Sequence, residues 1–237
     1  MLSVIIPVLN EENYIEKLLL LLVNQTFQDF EVIIVDGKSV DNTINVIKNF
    51  TFLGNKLKLI KAPHKGVSYQ RNLGAFEAKF NLLLFLDADV YFESDFLEKI
   101  IKEFNPHKYA IAAVKSFPKD KNFIDMILSF LYNYYQEITK SFAPEIYGWM
   151  ILVKKETHKK INGFDEKMIF SEDSDYVKKI VKSDGKFQIL KNGILYSSSR
   201  RINKEGRIRF ELKMLKYFFV SRLFGKYSAQ DKIDYFK

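Results

Sequence analysis

The sequence predicts an α/β domain: a mainly parallel central sheet flanked by helices, with a C-terminal helical appendage. Three observations carry this prediction. Short β-rich apolar runs alternate with helical patterns through the first half of the chain. Two of those runs, VIIV and LLLFL, are continuously apolar, as expected for strands covered on both faces. Polar residues collect just beyond four strand ends, where an open parallel sheet binds its ligands.

Strands are expected over residues 2–7, 31–35, 56–61 and 82–86. Asn10 is expected to cap a helix running to about residue 23, with Glu11 and Glu12 in its first turn. Ser39 or Asp41 is expected to cap the next helix, to about residue 50. Residues 67–79 form a third. This strand–helix repetition implies right-handed crossovers.

The second half is less regular. Residues 94–104 read as a helix, and 123–139 as an aromatic-rich helix with little polar face. A strand is expected over 147–153, then a helix over 172–183 that starts at a Ser-Glu-Asp cap. Residues 186–190 and 193–196 suggest a hairpin turning at Lys191-Asn192. Residues 206–224 make a last, basic and aromatic helix. The expected organisation is one domain over 1–204, with a nucleotide-binding half (1–105) and an acceptor half (106–204), and an amphipathic extension over 205–237.

Composition removes several chemistries. The 237 residues include no cysteine, which excludes disulfides, thiolate metal sites and Cys nucleophiles. The three histidines are scattered, so a His-based zinc site is not expected. Any metal should be a hard cation on carboxylates. The net charge of +8 suits a phosphorylated substrate, an anionic membrane or nucleic acid, or serves solubility alone. No run reaches the length of a spanning helix and the N-terminus reads as a strand, so a cytoplasmic protein is expected, resting at most on the membrane face.

Asp87-Ala88-Asp89 follows the strand at 82–86. On an extended segment two carboxylates one residue apart point the same way and can share one divalent cation. A solvated acidic turn is the alternative. Ser171-Glu172-Asp173 opens a helix, and acids there are ordinary caps that complement the dipole. Lys65, Arg71, Arg200 and Arg201 are candidate diphosphate contacts. The Arg200-Arg201 pair follows Ser197–Ser199, a grouping suited to phosphate. Gly37-Lys38-Ser39 is not a phosphate loop, because the required glycine at residue 32 is Val32. No G-x-G-x-x-G follows a strand, and no G-x-S-x-G is present.

Four segments in order resemble the inverting, GT-A-type glycosyltransferase family 2. They are VIIPVLNEENYI, VIIVDGKSVDNT, GVSYQRNLGAFEAKFNLLLFLDADV and GWMILVKKETHKKINGFDEKMIFSED, which together span roughly residues 1–200. The resemblance implies a GT-A fold and a role for each matching position. Pro7, Leu9 and Glu11 would line the base and ribose, and Asp36 would hydrogen-bond the base. Arg71 would neighbour the diphosphate. Asp87 would touch the ribose or a metal water, and Asp89 would bind Mn²⁺ or Mg²⁺. Asp173 would be the catalytic base, with Glu172 and Trp149 near the acceptor. Two departures stand out. One acid, Asp36, follows the second strand where many members have two, and no histidine lies beyond position 158.

The expected activity is metal-dependent, inverting transfer from a UDP- or GDP-sugar to a hydroxyl acceptor on a glycan or lipid-linked carrier. The basic segment 206–224 would contact membrane, core or a second subunit. The alternatives are a polyprenyl-phosphate sugar synthase and a sugar-phosphate nucleotidyltransferase, although Pro7-Val8-Leu9-Asn10 stands where the latter needs a Gly-rich basic loop. A nucleic-acid-binding domain explains the charge but not the acidic strand ends, so no nucleic-acid partner is expected.

Overall fold

The computed structural model describes residues 1–146, 148–168, 171–198 and 200, together with 205, 206, 209 and 213; the side chains of 51–53 are not described. Eight strands form one sheet: β1 (Leu2–Val8), β2 (Phe30–Asp36), β3 (Leu57–Lys61), β4 (Leu82–Leu86), β5 (Val90–Tyr91), β6 (Ile111–Pro118), β7 (Met150–Lys154) and β8 (Phe187–Ser197). Their order is β3-β2-β1-β4-β7-β6-β8-β5. β1 pairs in parallel with β2 and β4, β2 with β3, and β6 with β8. β7 runs antiparallel between β4 and β6.

The helices are α1 (Ile15–Val23), α2 (Thr43–Lys48), α3 (Val67–Glu77), α4 (Phe96–Glu103), α5 (Phe123–Thr139), α6 (Lys155–Lys160) and α7 (Glu172–Lys182). Every residue of β2 is buried, as its unbroken apolar run requires. Alternation along β1 splits the core between two faces. Val4, Ile6 and Val8 join Leu18, Leu22 and Ile100 on one side. Ile5 joins Ala75, Tyr176 and Ile180 on the other. β3 is an edge strand whose exposed Lys58 and Lys61 discourage further pairing.

Several expectations need correction. The hairpin at Lys191-Asn192 is absent; β8 runs straight through it, with an irregularity in its register against β6 between Val114 and Lys115. The Glu103 carboxylate accepts the Lys191 and Asn192 amides at 2.8 Å each and so satisfies the bulged backbone. Gly193 lies so close to α4 that a Cβ would come within 2.5 Å of Ile100 Cγ2. Asn10 does not cap α1: its φ is 57°, the helix begins five residues later, and its side chain accepts from the Val40 amide. Ser171 likewise makes no side-chain cap to α7. β6 and α6 had no counterpart among the expected elements. Of the helix expected over 206–224, all but residues 206, 209 and 213 lie outside the described residues. No helix among the described residues is long and apolar enough to cross a membrane.

Candidate active site

The crevice is built at the carboxyl ends of β1, β2, β3 and β4. Its floor is stitched by side chains that take up loop amides. Asn10 N donates to Ser39 Oγ at 2.9 Å, Glu11 N to Thr43 Oγ1 at 2.8 Å, and Glu12 N to Asp41 Oδ2 at 3.2 Å. Glu12 Oε2 in return accepts from Asn42 N at 2.8 Å. Ser39 and Asp41 therefore bind the loop after β1; neither is the cap residue of α2, which is Asn42 and makes no side-chain cap, although Asp41 accepts the Thr43 amide at 3.0 Å. These hydrogen bonds hold the Asp41 carboxyl below its ordinary value against the opposing effect of burial.

Asp36 is buried and caps its own loop, accepting from the Lys38 and Ser39 amides at 3.1 and 3.2 Å. Pro7 sits in β1 opposite Val35, and Leu9 is half-buried just beyond it. Lys65 is exposed in the loop before α3. Gln70 escaped sequence reasoning: it is buried and ties β1 to β2 by donating to the carbonyls of Val8 and Val35 at 2.9 and 2.6 Å.

Two arginines organise the acids. Arg71 on α3 is only 2% exposed. Its Nη2 meets Asp87 Oδ1 at 2.9 Å and the Gly148 carbonyl at 3.1 Å, and its Nη1 meets Glu172 Oε1 at 3.0 Å. Burial alone would lower its affinity for the proton, but the charges of Asp87, Glu172 and Asp173 reverse that effect. Phe164 covers it, with its ring centroid 5.3 Å from the guanidinium. Asn72, next in sequence, clamps the 162–166 turn by accepting from Phe164 N at 2.9 Å and donating to Glu166 at 2.8 Å.

Gly148 packs against this cluster. A Cβ there would come within 2.9 Å of both Arg71 Nη2 and Asp173 Oδ2, so the base candidate and the buried arginine are neighbours across a glycine. The Asp173 carboxyl is pushed up to about 7 by desolvation first and by Glu172 second, with Arg71 opposing. The acids opening α7 therefore face the crevice arginine. Trp149 packs against the core and offers its carbonyl to Asp87 N at 3.1 Å.

Arg200 makes the second node. Nη2 donates to Glu11 Oε1 at 2.8 Å, Nη1 to Glu11 Oε2, and Nε lies 2.9 Å from Asp89 Oδ2. The guanidinium also lies 4.8 Å from the centroid of the Tyr14 ring. Burial would lower its affinity for the proton, but Glu11 and Asp89 more than reverse this. Arg201 lies outside the described residues.

The two carboxylates of Asp87-Ala88-Asp89 thus turn to different arginines. The segment is a turn between β4 and β5, not a continued strand, so the period-two argument does not apply. No group of three or more Asp, Glu or His is poised for a metal among the described residues. The donor chemistry still fits a hard divalent cation. Glu11 and Asp89 converge on one positive charge, which Arg200 supplies.

The model of the family described as glycosyl transferase family 2 matches residues 3–161. The chain belongs to that family. Among its relatives, the glycosyltransferase GlyA of Streptococcus pneumoniae serotype 4 is 31% identical over 111 residues, which is 47% of this chain and 16% of GlyA. The chain therefore spans a small part of that relative. Solved structures share the fold. S. aureus TarS 1–349 in complex with UDP superposes with a TM-score of 0.67 at 23% identity, covering 83% of this chain and 60% of TarS. The mannosyltransferase PcManGT from Pyrobaculum calidifontis, in complex with GDP-Man and Mn²⁺, gives 0.71 at 20% identity, covering 91% of this chain and 64% of that one. These likenesses establish the GT-A fold.

Proposed function

We propose that this family 2 protein transfers a sugar, with inversion, from a nucleoside-diphosphate sugar to a hydroxyl acceptor. The observation that carries the reading is the Arg71 bridge. It joins Asp87, at the end of β4, to Glu172 at the start of α7 and leaves Asp173 beside it with a carboxyl near 7. A base poised there is matched to deprotonating a sugar hydroxyl at neutral pH. A phosphate acceptor needs no such base, so the same observation favours a hydroxyl acceptor over a polyprenyl phosphate.

In the proposed step Asp173 accepts the acceptor hydroxyl proton. The acceptor oxygen bonds to the anomeric carbon as the bond to the diphosphate oxygen breaks, and the electron pair leaves with the nucleoside diphosphate. Approach from the face opposite the leaving group inverts the carbon. Pro7, Leu9, Glu11 and Asp36 would border the base and ribose, in the half formed by residues 1–105. Lys65, Arg200 and Arg201 would meet the diphosphate. Asp89 and Glu11 would hold Mn²⁺ or Mg²⁺, whose Lewis acidity steadies the departing charge. The complexes of TarS with UDP and of PcManGT with GDP-Man and Mn²⁺ support a nucleotide-sugar donor and a divalent ion. A lipid-linked carrier is the finer reading of the acceptor, with peripheral contact at the membrane surface.

Asp173→Asn is expected to lower turnover by about 10²–10⁴-fold, the usual worth of a general base. Calorimetric binding of UDP or GDP with Mn²⁺ should be unchanged. Wild-type turnover in this variant would remove Asp173 from the mechanism.

A further inference from the structure

Helix α5 is inside out. Its buried positions are Asp125, Asn133, Gln136 and Thr139, all polar. They are satisfied by the protein: Asn133 bonds both the amide and the carbonyl of Ser116, and Gln136 donates to the Glu145 carbonyl at 2.9 Å. The outward positions are apolar. Phe123, Ile127, Phe130, Leu131, Tyr134 and Ile138 are all exposed and recur at helical spacing down one face. The most exposed, Phe123 and Tyr134, are 77% and 68% open. A stripe several turns long, bordered within the helix by part-exposed Glu137 in its pair with Lys140, is far beyond the scattered apolar residues that a soluble surface tolerates.

Charge at the ends of the stripe indicates the occupant. Exposed Lys119 and Lys121 precede the helix, with Asp120 between them, and Lys140 after it pairs with Glu137. Ser197, at the end of β8, pairs with Pro118, just before α5 begins. The chain that continues from that point, residues 201–237, holds Lys and Arg well in excess of Asp and Glu. An apolar stripe in a chain that also carries a strongly basic segment is the two-signal combination that holds a protein on an anionic bilayer. Apolar side chains enter the acyl boundary while cations meet the headgroups.

We infer that the outward face of α5 is a docking surface for an anionic lipid bilayer. This deepens the lipid-side reading of the acceptor. The buried side of the same helix holds the Glu145 carbonyl, three residues before Gly148, so a docked α5 would bring the acceptor side of the crevice to the membrane. The readout is binding rather than turnover, so the inference and the proposed chemistry fail separately.

The test is sedimentation of the full chain with phosphatidylcholine vesicles, with and without phosphatidylglycerol, against the variant Phe130→Glu plus Leu131→Glu. Both positions are exposed, so the fold should survive; circular dichroism and an unchanged melting temperature check this. The expected result is that wild type pellets with the anionic vesicles and that the variant partitions at least about tenfold more weakly. Three results would overturn the inference. Wild type could fail to pellet. The variant could pellet equally, which leaves binding to the basic segment alone. Light scattering could show a wild-type dimer that the variant dissolves without any vesicle binding, which assigns the face to a second copy.

Discussion

Arg71 and Arg200 each meet two carboxylates, yet they are built differently. Arg71 is sealed at 2% exposure on a helix, with a backbone carbonyl and an aromatic ring adding to its shell, although its buried Nε has no hydrogen-bond partner. Arg200 is 26% exposed, beyond the last strand. The first is a strut whose guanidinium is sealed from water. The second is a cation partly open to water, which a metal would replace on the proposed chemistry. One charge motif therefore yields a permanent bridge in one place and an exchangeable contact in the other, and burial decides which.

The sharpest way to break this contrast is Arg71→Met. Removing the guanidinium strands Asp87 and Glu172 in a poorly solvated site, a loss of about 3–5 kcal/mol measured by urea unfolding. Arg200→Ala should cost less in the same experiment, because Arg200 is itself 26% exposed and its removal opens a path for water to Glu11 and Asp89. Equal losses would erase the distinction. Arg200→Ala should also tighten Mn²⁺ binding in a nucleotide-free calorimetric titration, since a competing positive charge leaves Glu11 and Asp89. Asp89→Ala should weaken it. Unchanged affinity in both would place the metal elsewhere.

A pH-dependent effect is expected on the Arg71 side as well. Asp173 has its folded value raised from the ordinary 3.8 to about 7. Its protonated form favours the fold. That contribution is complete below about 4 and is lost as pH rises through 7. Asp173→Asn cannot ionise, so its melting temperature should rise relative to wild type across this window and stay higher above it. A constant gap from pH 4 to 8 would show that the carboxyl is not perturbed.

The sequence revealed the half of the fold built from local signals. The runs at β1, β2 and β4 are apolar enough to need cover on both faces, and their polar ends mark the crevice. β6 was missed because Ile111–Pro118 mixes alanine with a lysine and a serine and lacks a clean period. The supposed hairpin failed because the Glu103 carboxylate, far away in sequence, lets the backbone bulge instead of turning. The asymmetry of α5 was visible as a lack of polar face, but periodicity cannot say which side points inward. The arginine nodes were illegible for a similar reason: Arg71 and Glu172 are 101 residues apart, and Arg200 and Glu11 are 189. Gln70 and Asn72 did leave a clue, since Gln-Arg-Asn is an unusually polar triplet for a helix lying against a sheet.

The reach of the Arg71 bridge has a consequence for how the protein is made. A contact spanning so much chain closes late, because the loop between its ends must first be ordered. Until α7 arrives, Asp173 has no arginine beside it and Asp87 lacks its full shell. On the proposed chemistry, a nascent chain whose first half has folded would hold a nucleotide pocket with no working base. Transfer would then switch on only with completion of the domain, and a partly synthesised molecule would have no competent site in which to squander activated sugar.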